Sequence, residues 1–108
     1  MKDNIFVRNN NVLVKVNQDD IHYINAEGNY CIVNTLSGKK YAVKISLTAF
    51  TEKLNSDDFA QVHRGYIVRL DLIDHVDTVN NFIMLNGMQI PIGRKFRDDL
   101  LTGKINVV

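Results

Sequence analysis

Apolar and polar positions alternate along most of the chain in short runs, and clusters of Asn, Asp, Gly and Ser punctuate them. The turn clusters are Asn9-Asn10-Asn11, Gln18-Asp19-Asp20, Glu27-Gly28-Asn29, Ser37-Gly38, Asn55-Ser56-Asp57-Asp58, Asn80-Asn81 and Asn86-Gly87. Residues 5–8, 12–16, 21–25, 30–35 and 41–44 are rich in β-branched and aromatic residues and too short for stable helices, so they predict a meander of short strands. Asn86-Gly87 is the sharpest local signal. It sits between Ile83-Met84-Leu85 and Met88-Gln89-Ile90, and both residues accept the positive φ of a type I′ hairpin turn. Two segments leave the period of two. Leu47, Phe50 and Leu54 recur at helical spacing behind Ser46, a good N-cap, which predicts a helix ending near Asn55. Phe96, Leu100 and Leu101 mark a second helix from Arg94, whose other face carries Arg94, Lys95 and Arg97. Pro91 lacks an amide donor, so Ile90-Pro91-Ile92 belongs to an edge strand or a strand end. No internal repeat, low-complexity tract or linker interrupts the chain. The pattern predicts one mainly β domain over residues 1–108, with about ten strands and two short helices.

Composition narrows the class. The chain has 108 residues, 45% hydrophobic and 23% charged, with a single cysteine. A domain of this size buries roughly 65% of its unfolded surface and needs no disulfide or structural metal. Cys31 cannot form an internal disulfide, and Met1-Lys2-Asp3-Asn4 lacks the apolar run of a signal peptide, so a reducing cytoplasm is the expected compartment. No apolar stretch approaches the ~20 residues of a membrane span. Net charge is +1, but the signs are segregated. Lys39, Lys40 and Lys44 form one stretch free of acids, Arg64 and Arg69 a second, and Arg94, Lys95 and Arg97 a third. One basic face on a nearly neutral protein would follow.

Catalytic readings are weak. His22, His63 and His75 are far apart in sequence and lack local metal-site spacing. Cys31, within Tyr30-Cys31-Ile32-Val33, reads as a small buried thiol, and Asp57-Asp58 as a solvated turn. The six glycines form no phosphate-cradling cluster. No catalytic residue, metal or cofactor is expected. The informative segments are Val62-His63-Arg64-Gly65-Tyr66-Ile67-Val68 and Ile90-Pro91-Ile92-Gly93-Arg94-Lys95-Phe96-Arg97. In each, an apolar strand stops at a long cation beside a glycine, which projects an arginine from a rigid base. The arginine fork can donate two parallel hydrogen bonds to guanine or clamp a phosphate. In Glu27-Gly28-Asn29-Tyr30, the Asn29 carboxamide can pair bidentately with adenine.

Taken in succession, these segments resemble the LytTR DNA-binding domain family, the output domains of LytR/AlgR-type bacterial response regulators. The resemblance rests on residues 21–26 with Glu27-Gly28-Asn29-Tyr30, on Ser46-Leu47 with Phe50 and Leu54, on residues 59–68 and on residues 90–97, and it covers about residues 5–101. It implies an elongated all-β fold of small stacked sheets, and recognition of double-stranded DNA by loops that enter successive major grooves. By motif match, Asn29, Arg64 and Arg94 take the base-contacting positions. His63 matches a characteristic family position, compatible with touching DNA or with orienting its loop. Charge alone adds Lys95 as a base or phosphate contact and Arg97, Lys39 and Lys40 as weaker phosphate contacts.

The expectation is a sequence-specific regulator of transcription that occupies a promoter direct repeat as two copies, a dimer on DNA, with RNA polymerase as a candidate partner and no membrane contact. Family members usually carry a receiver, sensor or membrane segment upstream. Here the first strand follows Met1 almost at once, which reads either as an excised output domain or as a stand-alone regulator. The modest net charge keeps a second reading open: a protein-interaction or dimerisation module of the same fold without DNA binding.

Overall fold

The computed structural model describes residues 3–108; Met1 and Lys2, read above as part of the N-terminus, lie outside them. Ten strands and two α-helices follow in order. They are β1 (Asn4–Asn9), β2 (Val12–Asn17), β3 (Ile21–Glu27), β4 (Tyr30–Thr35), β5 (Lys40–Val43), α1 (Leu47–Thr51), β6 (Phe59–His63), β7 (Tyr66–Arg69), β8 (Ile73–Asp77), β9 (Phe82–Leu85), β10 (Met88–Pro91) and α2 (Arg94–Asp99). The strands pair antiparallel in three sheets: β1-β2, β10-β9-β8, and a five-stranded sheet of order β5-β4-β3-β7-β6. The molecule measures 45 × 30 × 24 Å, elongated as the family resemblance implies.

The five-stranded sheet is the middle layer, and that explains its sequence. Ile24, Ile67 and Phe59 point to one face, where the β1-β2 hairpin adds Val7 and Val16 and α1 adds Leu47 and Phe50. Tyr23, Tyr66, Val68, Ala60 and Val62 point to the other, against Ile83, Leu85 and Ile90 of the three-stranded sheet and Leu100 beyond α2. Both faces of β6 and β7 carry core residues, so Phe59-Ala60 and Tyr66-Ile67-Val68 read as apolar runs instead of alternating. Pro91 closes β10, an edge strand, where its missing amide interrupts no ladder.

Local signals act where the sequence places them. Asn86 (φ 48°) and Gly87 (φ 85°) both adopt left-handed backbone between paired Leu85 and Met88. The Ser46 hydroxyl accepts the Ala49 amide at 3.1 Å and caps α1. That helix is shorter than its apolar spacing predicts. It stops at Thr51, whose hydroxyl bonds back to the Leu47 carbonyl, and the chain tightens through Lys53 N–H to Phe50 and Leu54 N–H to Thr51. Leu54 is buried all the same. The Gln18-Asp19-Asp20 cluster forms a 3-10 turn, as does residues 70–72, and α2 passes into a π-helical turn at Leu100–Lys104.

Strand direction fixes which connections share an end of the middle sheet. Glu27 pairs with Tyr30, Tyr66 with Asn25 and His63, and Val43 with Cys31. The β3-β4 turn, the β6-β7 turn and the exit of β5 thus lie at one end. The β4-β5 connection and the start of β3 lie at the other.

Candidate nucleic-acid interface

The two hairpin turns at the first end each comprise two residues. Gly28-Asn29 turns at Gly28, whose φ of 60° suits glycine, and carries Asn29 at its exposed tip. Arg64-Gly65 carries Arg64, also exposed. The turns are joined directly, because the Gly65 carbonyl accepts the Ala26 amide at 2.9 Å. The third element arrives from a different sheet. After β10, the Gly93 amide donates to the Val62 carbonyl at 2.8 Å, which docks the first turn of α2 on the end of β6. A Cβ at Gly93 would stand 3.1 Å from the Phe96 ring and 3.4 Å from the His63 Cα, so a glycine permits this close approach. Arg94 and Lys95 project from α2 as exposed side chains, with the Lys95 ammonium 5.7 Å from the Phe96 ring centre.

These elements border two open, adjoining grooves. One, of about 630 Å³, lies between α1 and α2 and is lined by Ser46, Thr48, Gln61, His63, Arg64, Arg94 and Lys95 among others. The other, of about 480 Å³, runs past Asn29, Tyr30, Lys44 and Ser46 to Arg64. Ser46, Leu47 and Arg64 belong to both, so one continuous face holds all three expected base-contacting residues. No Asp or Glu lines either groove. Lys44, Arg64, Arg94 and Lys95 therefore set a locally positive potential on a chain of net charge +1. Among the described residues, neither the Arg64 nor the Arg94 side chain makes a hydrogen bond or ion pair within the fold, which leaves both forks open.

The remaining expected residues separate. His63 is half-buried beside the same face, and its Nδ1 accepts the Gly65 amide at 2.9 Å. Arg97 is engaged within the fold: its Nε donates to Asn81 Oδ1 and its Nη2 to the Thr78 carbonyl, both at 2.9 Å, tying α2 to the β8-β9 turn. That turn is closed by Asp77, whose carboxylate accepts the Asn80 amide and side chain and the Val79 amide and is held below the usual carboxylate range by them. Lys39 and Lys40 lie at the opposite end of the middle sheet, where Lys40 pairs with Asn34. Sequence reasoning leaves out Lys44, Ser46, Thr48 and Gln61 as residues of this face. Lys44 had a signal in its acid-free stretch, but only register places it apart from Lys39 and Lys40.

Cys31 sits under the second groove as a buried thiol donating to the Ile45 carbonyl at 3.0 Å, and burial pushes its pKa up, away from nucleophilic thiolate. No group of three or more His, Cys, Asp or Glu among the described residues is placed to hold a metal ion. No helix among them is long and apolar enough to cross a membrane.

Loop tips and a helix start, mounted on stacked antiparallel sheets around open cationic grooves, define a β-scaffolded binding domain whose face suits a polyanion. Comparison with known proteins gives the family. Residues 11–103 match the family model described as the LytTr DNA-binding domain, and the chain belongs to that family. The sensory transduction protein LytT of Bacillus subtilis is 30% identical over 92 residues, covering 82% of this chain and 38% of its own length. The sensory transduction protein LytR of Streptococcus agalactiae is 30% identical over 91 residues, covering 81% of this chain and 37% of its own. This chain thus spans well under half the length of these relatives. A solved LytTr DNA-binding domain from Bacillus cereus shares the fold, with a TM-score of 0.77 at 23% identity over 95% of this chain and 99% of that one.

Proposed function

We propose that this domain reads double-stranded DNA by sequence for a bacterial transcription regulator in the cytoplasm, with Asn29, Arg64 and Arg94 contacting bases. One observation carries the reading. Three residues singled out at separate places in the chain stand on one acid-free face, each at a turn or helix start held by backbone hydrogen bonds to its neighbour. Base readout needs this combination, because a fork held at its base can meet a base edge in a fixed register. Lys44 and Lys95 flank the readers and take phosphates, which position the protein without conveying sequence. Lys39 and Lys40 fall outside the interface, and Arg97 supports it from behind.

In this reading the two hairpin turns and the start of α2 address successive major grooves of the duplex. Two copies on a direct repeat, with RNA polymerase as a neighbour at the promoter, complete the reading. A modest net charge makes the second copy a source of affinity that long-range attraction does not supply.

Selection from random duplexes, followed by fluorescence-anisotropy titration of the enriched site and a scrambled duplex at fixed physiological salt, tests this. The expected outcome is a repeated motif bound at least about tenfold tighter than the scramble, with affinity falling as salt rises. Flat anisotropy at low salt with every duplex overturns the reading in favour of a protein-interaction module.

A further inference from the structure

His63 stands where the three readers are joined. Its half-buried ring borders the open groove. Nδ1 accepts the Gly65 amide at 2.9 Å, and the ring lies 5.7 Å from that of Tyr66, centre to centre. Gly65 is thereby held from both sides, by His63 at its N–H and by the Ala26 amide at its carbonyl, so Arg64 is fixed relative to the Asn29 hairpin. The His63 backbone also abuts the start of α2, where a Cβ at Gly93 would lie 3.4 Å from its Cα. A Cβ at Gly65 would lie 3.4 Å from Nδ1, which shows how closely the imidazole sits against the turn.

We infer that His63 is a positioning residue for DNA reading, acting through the acceptor Nδ1 of a neutral imidazole that fixes the Arg64-Gly65 turn between the Asn29 hairpin and α2. The backbone N–H can only donate, so Nδ1 must carry no proton and Nε2 carries it. Without this bond a two-residue turn would lose the restraint that sets where the Arg64 fork points, and an arginine has many rotamers in which to miss a base edge. The inference rests on the DNA-reading proposal for its consequence, but its geometry is testable without DNA.

Two substitutions separate the imidazole nitrogens. Asn places a carbonyl oxygen near the position of Nδ1, whereas Gln reaches the position of Nε2. With His63→Asn the folded chain is expected to bind the selected duplex within about threefold of the parent, and with His63→Gln about tenfold more weakly, the loss of roughly one hydrogen bond's worth of positioning. Nuclear magnetic resonance of the free protein gives the second readout. The parent should show an unprotonated His63 Nδ1 with a protonated Nε2, and Gly65 amide exchange should be slow in the parent and His63→Asn and fast in His63→Gln. Binding retained by Gln and lost by Asn would make His63 a direct DNA contact through Nε2 and overturn the inference. So would equal affinity of both variants, whether kept or lost, or a protonated Nδ1 in the parent. If the parent binds no duplex selectively, the DNA-reading proposal fails, and the tautomer and Gly65 exchange still decide whether the Nδ1 acceptor exists.

Discussion

The two ends of the middle sheet carry similar residues in opposite states. At the closed end, Arg69 is largely buried, and its guanidinium donates to the carbonyls of Asp19 and Ile21 and pairs with Asp71. Beside it, Asp20 accepts the Ser37 hydroxyl and amide and fastens the β4-β5 connection to the start of β3. Arg69 and Asp20 are thus both engaged by the fold itself. At the open end, Arg64 and Arg94 leave the surface with their forks unclaimed, while the backbone beneath them is tied strand to strand. The difference teaches what an arginine is for. A fork spent on the protein's own carbonyls stabilises, and a fork withheld on a rigid base is available to a partner. Arg97 stands between these states, since it belongs to the helix that carries Arg94 and yet spends its fork on the turn behind it.

The largest test exchanges the two ends. Arg64→Ala is expected to weaken binding to the selected duplex by about 1 to 3 kcal/mol and to leave the melting transition in place. Arg69→Ala should do the reverse. It should cost about 1 to 2 kcal/mol of stability, because the Asp19 and Ile21 carbonyls lose a charged donor, while the affinity of the folded protein is kept. Urea unfolding and anisotropy on both variants decide it, and the comparison breaks if either residue moves both quantities alike.

Arg97→Ala comes next. Loosening α2 behind Arg94 should reduce affinity by roughly threefold, the scale of one modest hydrogen bond, without changing the salt dependence. A salt slope smaller by about one would instead place Arg97 on a phosphate.

A smaller effect concerns His22, at the closed end, whose Nε2 is buried without a partner among the described residues. Burial chiefly, with the nearby Arg69 charge, lowers its pKa from the ordinary 6.5, opposed by the Leu85 backbone nearby. The unfolded chain therefore binds the proton more readily. Stability should be complete above about pH 6.5 and fall as pH drops through the interval towards the lowered value, and His22→Gln should flatten that slope in urea titrations. The smallest effect is none: Lys39→Ala with Lys40→Ala should leave affinity within about twofold, since both lie away from the grooves.

The sequence reveals the open end better than the closed one, for a physical reason. Turn chemistry is local, so Asn86-Gly87, the Ser46 cap and the glycines beside Asn29, Arg64 and Arg94 can be read from adjacent residues. Whether a side chain is spent or free depends on residues far away. Arg69 at the end of β7 meets Asp19 just before β3, Arg97 of α2 meets Asn81 of the β8-β9 turn, and no spacing rule carries those contacts. Register is equally hidden. Lys44 lines a groove and Lys40 does not, although four positions separate them, because β5 delivers them to opposite ends. The early stop of α1 and the π-helical turn after α2 come from Thr51 back-bonding and from packing Leu100, which apolar spacing alone does not encode.

Three residues on one face are proposed to read separate bases. Repeating the selection from random duplexes with the parent chain and with Asn29→Ala, Arg64→Ala and Arg94→Ala tests it most directly. Each variant is expected to lose base preference at its own position in the motif and to keep it elsewhere. An unchanged motif in all three, with only a uniform drop in affinity, would assign these side chains to phosphates and contradict it.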